Sequence, residues 1–313
     1  MPVIARISNP NRPRRRRRRL RTIRMTPTLV TLGNLICGFA AVHYAMRGMY
    51  DFGRGIPPEQ IQTLGSVRWE QWLSSNIAVG AAFVVLGMIF DCFDGLLARM
   101  TRNTTDFGGQ LDSLADVVTS GLAPAVLMVA FLTQTLSVDL SPVSHDIVGR
   151  AAWIAAAVYL ACAAIRLARY NVEHAQSGHD GRGFRGLPSP GAAGVIVGLL
   201  LFQEQGRGLP SGTIVYVMPA VAFAAGLLMV SRVPYPRMAY LFSGRRPFEQ
   251  LILIIVVFVV FWLYKVETFA VAVFVYGLSG PVLYALRRLR KRSASSTTGV
   301  EEENAPTQSS RSA

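Results

Sequence analysis

Long apolar runs joined by short polar segments make up most of the chain. Runs of membrane-crossing length fall at about residues 28–46, 76–98, 112–134, 150–170, 190–203, 212–231, 248–264 and 268–286. Most approach the roughly 20 residues of helix that a hydrocarbon layer of about 30 Å requires. The fifth is the shortest, and Pro188, Pro190 and Gly191 blur its start. The pattern predicts an all-α polytopic membrane protein with about eight transmembrane helices. Two polar segments flank them. One is an arm at 1–24, and the other is a Ser-, Thr- and Glu-rich tail at 289–313 whose composition predicts disorder. Residues 47–75 read as a loop, with Trp69 and Trp72 as interfacial anchors just before the second helix.

Composition agrees with that pattern and orients it. Hydrophobic residues form 51% of the chain and charged ones 16%, a balance that a soluble domain of this size does not need. With both termini in the cytoplasm, 26 of the 32 Lys and Arg lie on the cytoplasmic side, as the positive-inside bias demands. Arg47, Arg54, Arg68, Arg150, Arg207 and Lys265 are the remainder. The arginine run at 14–19 favours anionic lipid over nucleic acid, because the arm has no interleaved aromatics and directly precedes a span. No short apolar region with a small-residue cleavage site follows it, so a cleavable signal peptide is not expected. Cys37, Cys92 and Cys162 are scattered among the predicted spans without nearby His, which argues against disulfides and a thiolate metal site. The chain has no nucleophile elbow, P-loop or dinucleotide fingerprint.

Candidate chemistry concentrates at 91–116, DCFDGLLARMTRNTTDFGGQLDSLAD. On helices, Asp91 and Asp94 lie about 60° apart and Asp112 and Asp116 about 40° apart, so each pair shares a face. The segment from Met100 to Leu111 reads as a short, polar, Gly-rich connection, which makes the two helices antiparallel neighbours. All four carboxylates then converge at one end, on the cytoplasmic side. Converging acids need cations, and hard divalent ions such as Mg²⁺ or Mn²⁺ suit carboxylate oxygens. Two such ions a few ångströms apart form a clamp for phosphoryl chemistry. Two plainer readings stand beside this one: acids at helix ends are often simply solvated, and intramembrane acids also line the paths of cation transporters. A transporter's acids belong near mid-span at broken helices, whereas these lie at a helix end beside an arginine and glycines. Asp106 reads as a loop acid.

Other polar positions admit two readings each. Thr31 and Asn34, three apart on the first helix, are either interhelical glue or ligand contacts. Arg166 and Arg169, three apart at the end of the fourth helix, either grip a phosphate or carboxylate or snorkel to the interface. Thr119, Ser120, Gly121 and Pro124 are small or kink-permitting residues that let a neighbour approach.

The spacing Asp-x2-Asp-Gly-x2-Ala-Arg-x8-Gly-x3-Asp-x3-Asp runs through Asp91, Asp94, Gly95, Ala98, Arg99, Gly108, Asp112 and Asp116. At every position it resembles the signature of the CDP-alcohol phosphatidyltransferase family. LGNLICGF in the first helix, RLARYN ending the fourth, the GLPSP loop and LLMVSRVPYP at 227–236 are similar to the membrane-bound phosphatidylserine synthases of that family. The resemblance covers about 27–236. It implies a catalytic helical core at 25–236, with 237–288 as two added helices for structure or dimer packing. It implies phosphatidyl transfer from CDP-diacylglycerol to L-serine, with glycerol phosphate or inositol phosphate as alternative acceptors. It also implies two divalent metal ions on Asp91, Asp94, Asp112 and Asp116, with Asp116 the general base. The CDP-lipid would lie against Thr31, Asn34, Gly95, Ala98, Arg99 and Gly108, and the serine carboxylate against Arg166, Arg169 and Asn171. The implied setting is a homodimer among membrane lipids of the cell (inner or plasma) membrane, its site facing the cytoplasm, with no nucleic-acid partner.

Overall fold

The computed structural model describes residues 25–55, 75–101, 106–139, 142–176, 186–206, 208–233, 235 and 265–303, and their regular structure is all helical. The helices are α1 (Met25–Gly53), α2 (Asn76–Thr101), α3 (Asp106–Asp116), α4 (Ala123–Asp139), α5 (Pro142–Gln176), α6 (Ser189–Glu204), α7 (Ser211–Val230) and α8 (Lys265–Glu303). A π-helical turn, Val117–Leu122, joins α3 to α4 as one rod. Among the described residues six stretches are long and apolar enough to cross a membrane: Leu29–Gly53, Asn76–Gly95, Phe107–Leu136, Asp146–Glu173, Ser211–Val230 and Val266–Leu286. These make the chain an integral membrane protein. The fifth expected span is the shorter apolar α6, and the seventh, at 248–264, lies outside the described residues.

Local chemistry sets several helix starts. Ser75 caps α2 by accepting the Ala78 N–H at 3.0 Å. The Pro210 carbonyl takes the Thr213 and Ile214 N–H groups at 2.8 and 3.0 Å to open α7. Several helices outrun their apolar runs. α1 continues to Gly53, through seven residues expected to belong to the loop, and α5 has 35 residues, about 52 Å of helix against a layer of about 30 Å. Apolar length marks where a helix meets lipid, and hydrogen bonding propagates the helix beyond it. For the same reason α8 continues to Glu303, through the residues whose composition predicts disorder.

The α3–α4 rod lies among the other helices, with α1 along α2, α5 along α7 and α6 along α8. Small side chains permit the close contacts: Ala41, Ala45, Ala78 and Ala81 are fully buried, so α1 and α2 meet almost backbone to backbone. Bulky apolar side chains such as Phe39 and Trp153 are 70% and 66% exposed, which suits a surface that meets lipid rather than water. Antiparallel packing brings the starts of α1, α3 and α6 and the ends of α2, α5 and α7 to one end of the bundle, which holds most of the candidate residues.

Candidate active site

The centre of this end is acidic. Asp91 near the end of α2 and Asp112 and Asp116 on α3 bring carboxylate oxygens within 4.8 Å of one another. Asp116 is buried and the other two are partly buried. Three negative charges at that spacing repel by about 3 kcal/mol per pair at an effective dielectric constant near 20. One oxygen, Oδ1 of Asp112, is buried without a hydrogen-bond partner, which is costly for a charged acceptor. Oxygens bound to one hard cation at about 2.0–2.6 Å lie no more than about 5 Å apart. The three carboxylates therefore fit a divalent cation in both chemistry and spacing. Asp94 is not part of this trio. It lies about one turn along α2, buried, and accepts a hydrogen bond from the Thr31 hydroxyl.

α1 supplies the donors that hold two of the acids. Thr31 serves Asp94, and Asn34, one turn on, donates from Nδ2 to Asp116 Oδ1 at 3.1 Å. The two residues expected to bind the nucleotide thus also fix the carboxylates. The backbone oxygen of Asn34 accepts the Thr119 hydroxyl at 2.9 Å, which ties α1 to the π-helical turn directly after Asp116. Thr119 fits there because its neighbours are glycines. A Cβ at Gly38 would stand 2.5 Å from Thr119 Oγ1, and one at Gly87 would stand 2.4 Å from its Cγ2. A π-helical turn disrupts the regular i→i+4 ladder, and from α5 the buried Tyr159 hydroxyl donates to the Ser120 oxygen at 2.7 Å.

The cationic side comes from α5. Arg166 lies within electrostatic range of Asp91 and Asp116. It donates from Nη1 to the fully buried Ser189 at the start of α6, and its buried Nε has no hydrogen-bond partner. Arg169 does something else: its Nη2 donates to the Val230 oxygen at 2.9 Å, closing the end of α7. The Leu187 N–H caps the same helix end through Leu228 O at 3.0 Å, and the Gly186 N–H bonds Val233 O at 2.9 Å. Gly186 has φ +86°, and a Cβ there would stand 2.4 Å from Met229 O, so glycine is required. RLARYN, GLPSP and LMVSRV, far apart in sequence, are therefore one joint. Asn171 pairs with Ser113, beside Asp112, at 2.9 Å.

The expected residues fall into three groups. Asp91, Asp112, Asp116, Asn34 and Arg166 meet at the acidic centre, with Asp94 and Thr31 next to it. Arg169 and Asn171 share the same end but bond to other partners. Gly95 is exposed near the end of α2, while Ala98 and Arg99 belong to its last turns with side chains outside the described residues. Gly108 and Asp106 lie on α3 rather than in a loop, because the helix starts at Asp106, where an acid favours the first turn, and runs through both glycines. Sequence reasoning missed Tyr159. Nothing local marks it, for its role depends on a turn 39 residues away.

Comparison with known proteins matches residues 24–233 to the family model described as CDP-alcohol phosphatidyltransferase. Three similar proteins carry the name CDP-diacylglycerol–serine O-phosphatidyltransferase. The Methanocaldococcus jannaschii protein is 32% identical over 157 residues, 50% of this chain and 63% of its own length. The Bacillus subtilis protein is 29% identical over 210 residues, 67% of this chain and 89% of its own. The Helicobacter pylori protein is 31% identical over 163 residues, 52% and 62%. The chain thus spans less than two thirds of the archaeal and Helicobacter proteins and most of the Bacillus one.

Proposed function

The chain belongs to the CDP-alcohol phosphatidyltransferase family, and from that premise we propose that it transfers the phosphatidyl group of CDP-diacylglycerol to the hydroxyl of L-serine, yielding phosphatidylserine and CMP. The observation that carries this reading is the pairing of three carboxylates within 4.8 Å with a partly buried arginine at one end of the bundle. The carboxylates suit a phosphoryl centre, and the guanidinium suits an acceptor that brings its own carboxylate. The positive-inside bias puts this end in the cytoplasm, where serine is supplied.

In this mechanism the serine hydroxyl oxygen bonds to the lipid-side phosphorus while the bond from that phosphorus to CMP breaks. CMP leaves with the bonding electron pair, and the hydroxyl proton passes to Asp116. Asp91, Asp112 and Asp116, with Asp94 adjacent, would hold a divalent cation, which when bound would neutralise the diphosphate and the charge growing on CMP. Asn34 keeps the Asp116 carboxylate turned toward the reacting hydroxyl through the amide contact at 3.1 Å. Thr31 and Asn34 border the cytidine, Gly95 and Gly108 leave room for the nucleotide, and Ala98 and Arg99 are assigned to the CDP-lipid on the family resemblance alone. Of the three residues expected around the serine carboxylate, Arg166 is the one for direct contact. Arg169 and Asn171 brace the helix ends around it.

The test is CMP release by purified full-length protein given CDP-diacylglycerol, Mg²⁺ or Mn²⁺ and a panel of alcohols. Serine is expected to give the fastest release. Faster release with a phosphorylated alcohol would contradict the acceptor assignment and leave the chemistry standing. No release with any alcohol would contradict both.

A further inference from the structure

α8 lies beyond the residues that match the family, at the edge of the bundle, yet it packs closely along α6. Glycines along one side of α6 face it closely: a Cβ at Gly194 or Gly198 would stand 2.9 Å from Val273, and one at Gly191 would stand 2.9 Å from Tyr276 Cε1. Gly191 is two residues past Ser189, the residue that accepts from Arg166. The Tyr276 ring is thus delivered to the cationic side of the acidic centre.

That ring is held from two directions. Gly191 bounds one side, and the Tyr235 ring lies 5.8 Å away at 50°. Tyr235 is itself fixed, its hydroxyl donating to Gly277 O at 2.9 Å and its ring lying over Gly280. A phenol held this way keeps its oxygen in one place without a further ordering cost. Its neighbour Arg166, within electrostatic range, has a buried Nε without a partner. A phenol oxygen both accepts from a guanidinium and donates to a carboxylate, so it suits an acceptor that carries a carboxylate beside Arg166.

We propose that Tyr276 is a specificity-determining residue for the alcohol acceptor, its hydroxyl completing the carboxylate subsite that Arg166 begins. A helix outside the matched core then helps choose the acceptor, and the core carries the phosphoryl chemistry. The proposal rests on the acceptor reading given above, and it concerns a residue that touches only the acceptor side.

Steady-state kinetics of full-length protein with varied L-serine and varied CDP-diacylglycerol test it, using Tyr276→Phe, which keeps the ring. The expected result is a serine KM raised about tenfold, the scale of one charge-assisted hydrogen bond, with the CDP-diacylglycerol KM within about twofold. Gly191→Ala, whose added methyl pushes the ring, is expected to move the serine KM in the same direction by a smaller factor. An unchanged serine KM in Tyr276→Phe, or a parallel rise in both KM values, would overturn the proposal. If wild-type protein uses a different alcohol, the acceptor reading fails, and the same KM pair measured with that alcohol decides the role of Tyr276.

Discussion

Where α1 ends and α2 begins, each buried acid has its own partner. Asp51 accepts from Asn76 Nδ2 at 2.8 Å and lies 3.8 Å from Arg47 Nε, and Glu204 accepts from Ser75. At the opposite end Asp91, Asp112 and Asp116 crowd within 4.8 Å, and one carboxylate oxygen has no donor. The far end also leaves two polar atoms without a partner, but both are neutral: the side-chain oxygens of Asn76 and Gln203. A buried acid is therefore not in itself a mark of function in this bundle. The mark is negative charge gathered against the stability of the fold, a cost that makes sense where a cation or a transition state answers it.

The largest expected effect breaks the acidic end. Asp91→Asn or Asp112→Asn, or chelation of the wild-type protein, should lower CMP release by at least about 10³-fold, the scale of removing a preorganised electrostatic contact. The amount of folded protein should hardly change. Full activity in excess chelator would remove the metal-assisted reading.

A smaller effect separates the two arginines. Arg166→Lys should raise the serine KM by about 30-fold, near 2 kcal/mol, since a point charge lacks the guanidinium fork. Arg169→Lys should mainly lower thermal stability, because its partner is Val230 O at the end of α7. Equal changes of serine KM in the two variants would contradict that division.

The smallest effect tests the turn between the acids and α5. Tyr159→Phe removes the donor to Ser120 O and should cost about 1 kcal/mol of stability, with kcat lowered more than either KM because Asp116 directly precedes that turn. A variant that matches wild type in both stability and kcat would show that the turn holds its register unaided.

The acidic centre was legible because helical period puts Asp91 with Asp94 and Asp112 with Asp116 on shared faces, and the short segment between the two helices implied that the two pairs meet. Thr31 and Asn34 were legible for the same reason, although their contact with the carboxylates themselves was not. Asp94 shares a face with Asp91 yet turns to Thr31, a choice that depends on where α1 packs. The small residues Thr119, Ser120 and Gly121 marked the π-helical turn as a place of close approach, but not its form, which depends on Thr119 fitting between Gly38 and Gly87 on two other helices. The division of labour between Arg166 and Arg169 was equally hidden, because their partners Ser189 and Val230 come from two later helices. Helix ends were misjudged wherever the helix continues past its apolar run.

Thermal unfolding of full-length protein in lipid nanodiscs, with EDTA and then with Mg²⁺, tests most directly whether the two ends differ as described. In EDTA, Asp112→Asn should melt above wild type, because removing one of three crowded charges relieves repulsion, while Asp51→Asn should melt below it, because a charge-assisted bond to Asn76 is weakened. Mg²⁺ should raise the melting temperature of wild type and of Asp51→Asn and leave Asp112→Asn nearly unmoved. A wild-type melting temperature indifferent to divalent cations, together with an Asp112→Asn variant no more stable than wild type in EDTA, would contradict the account.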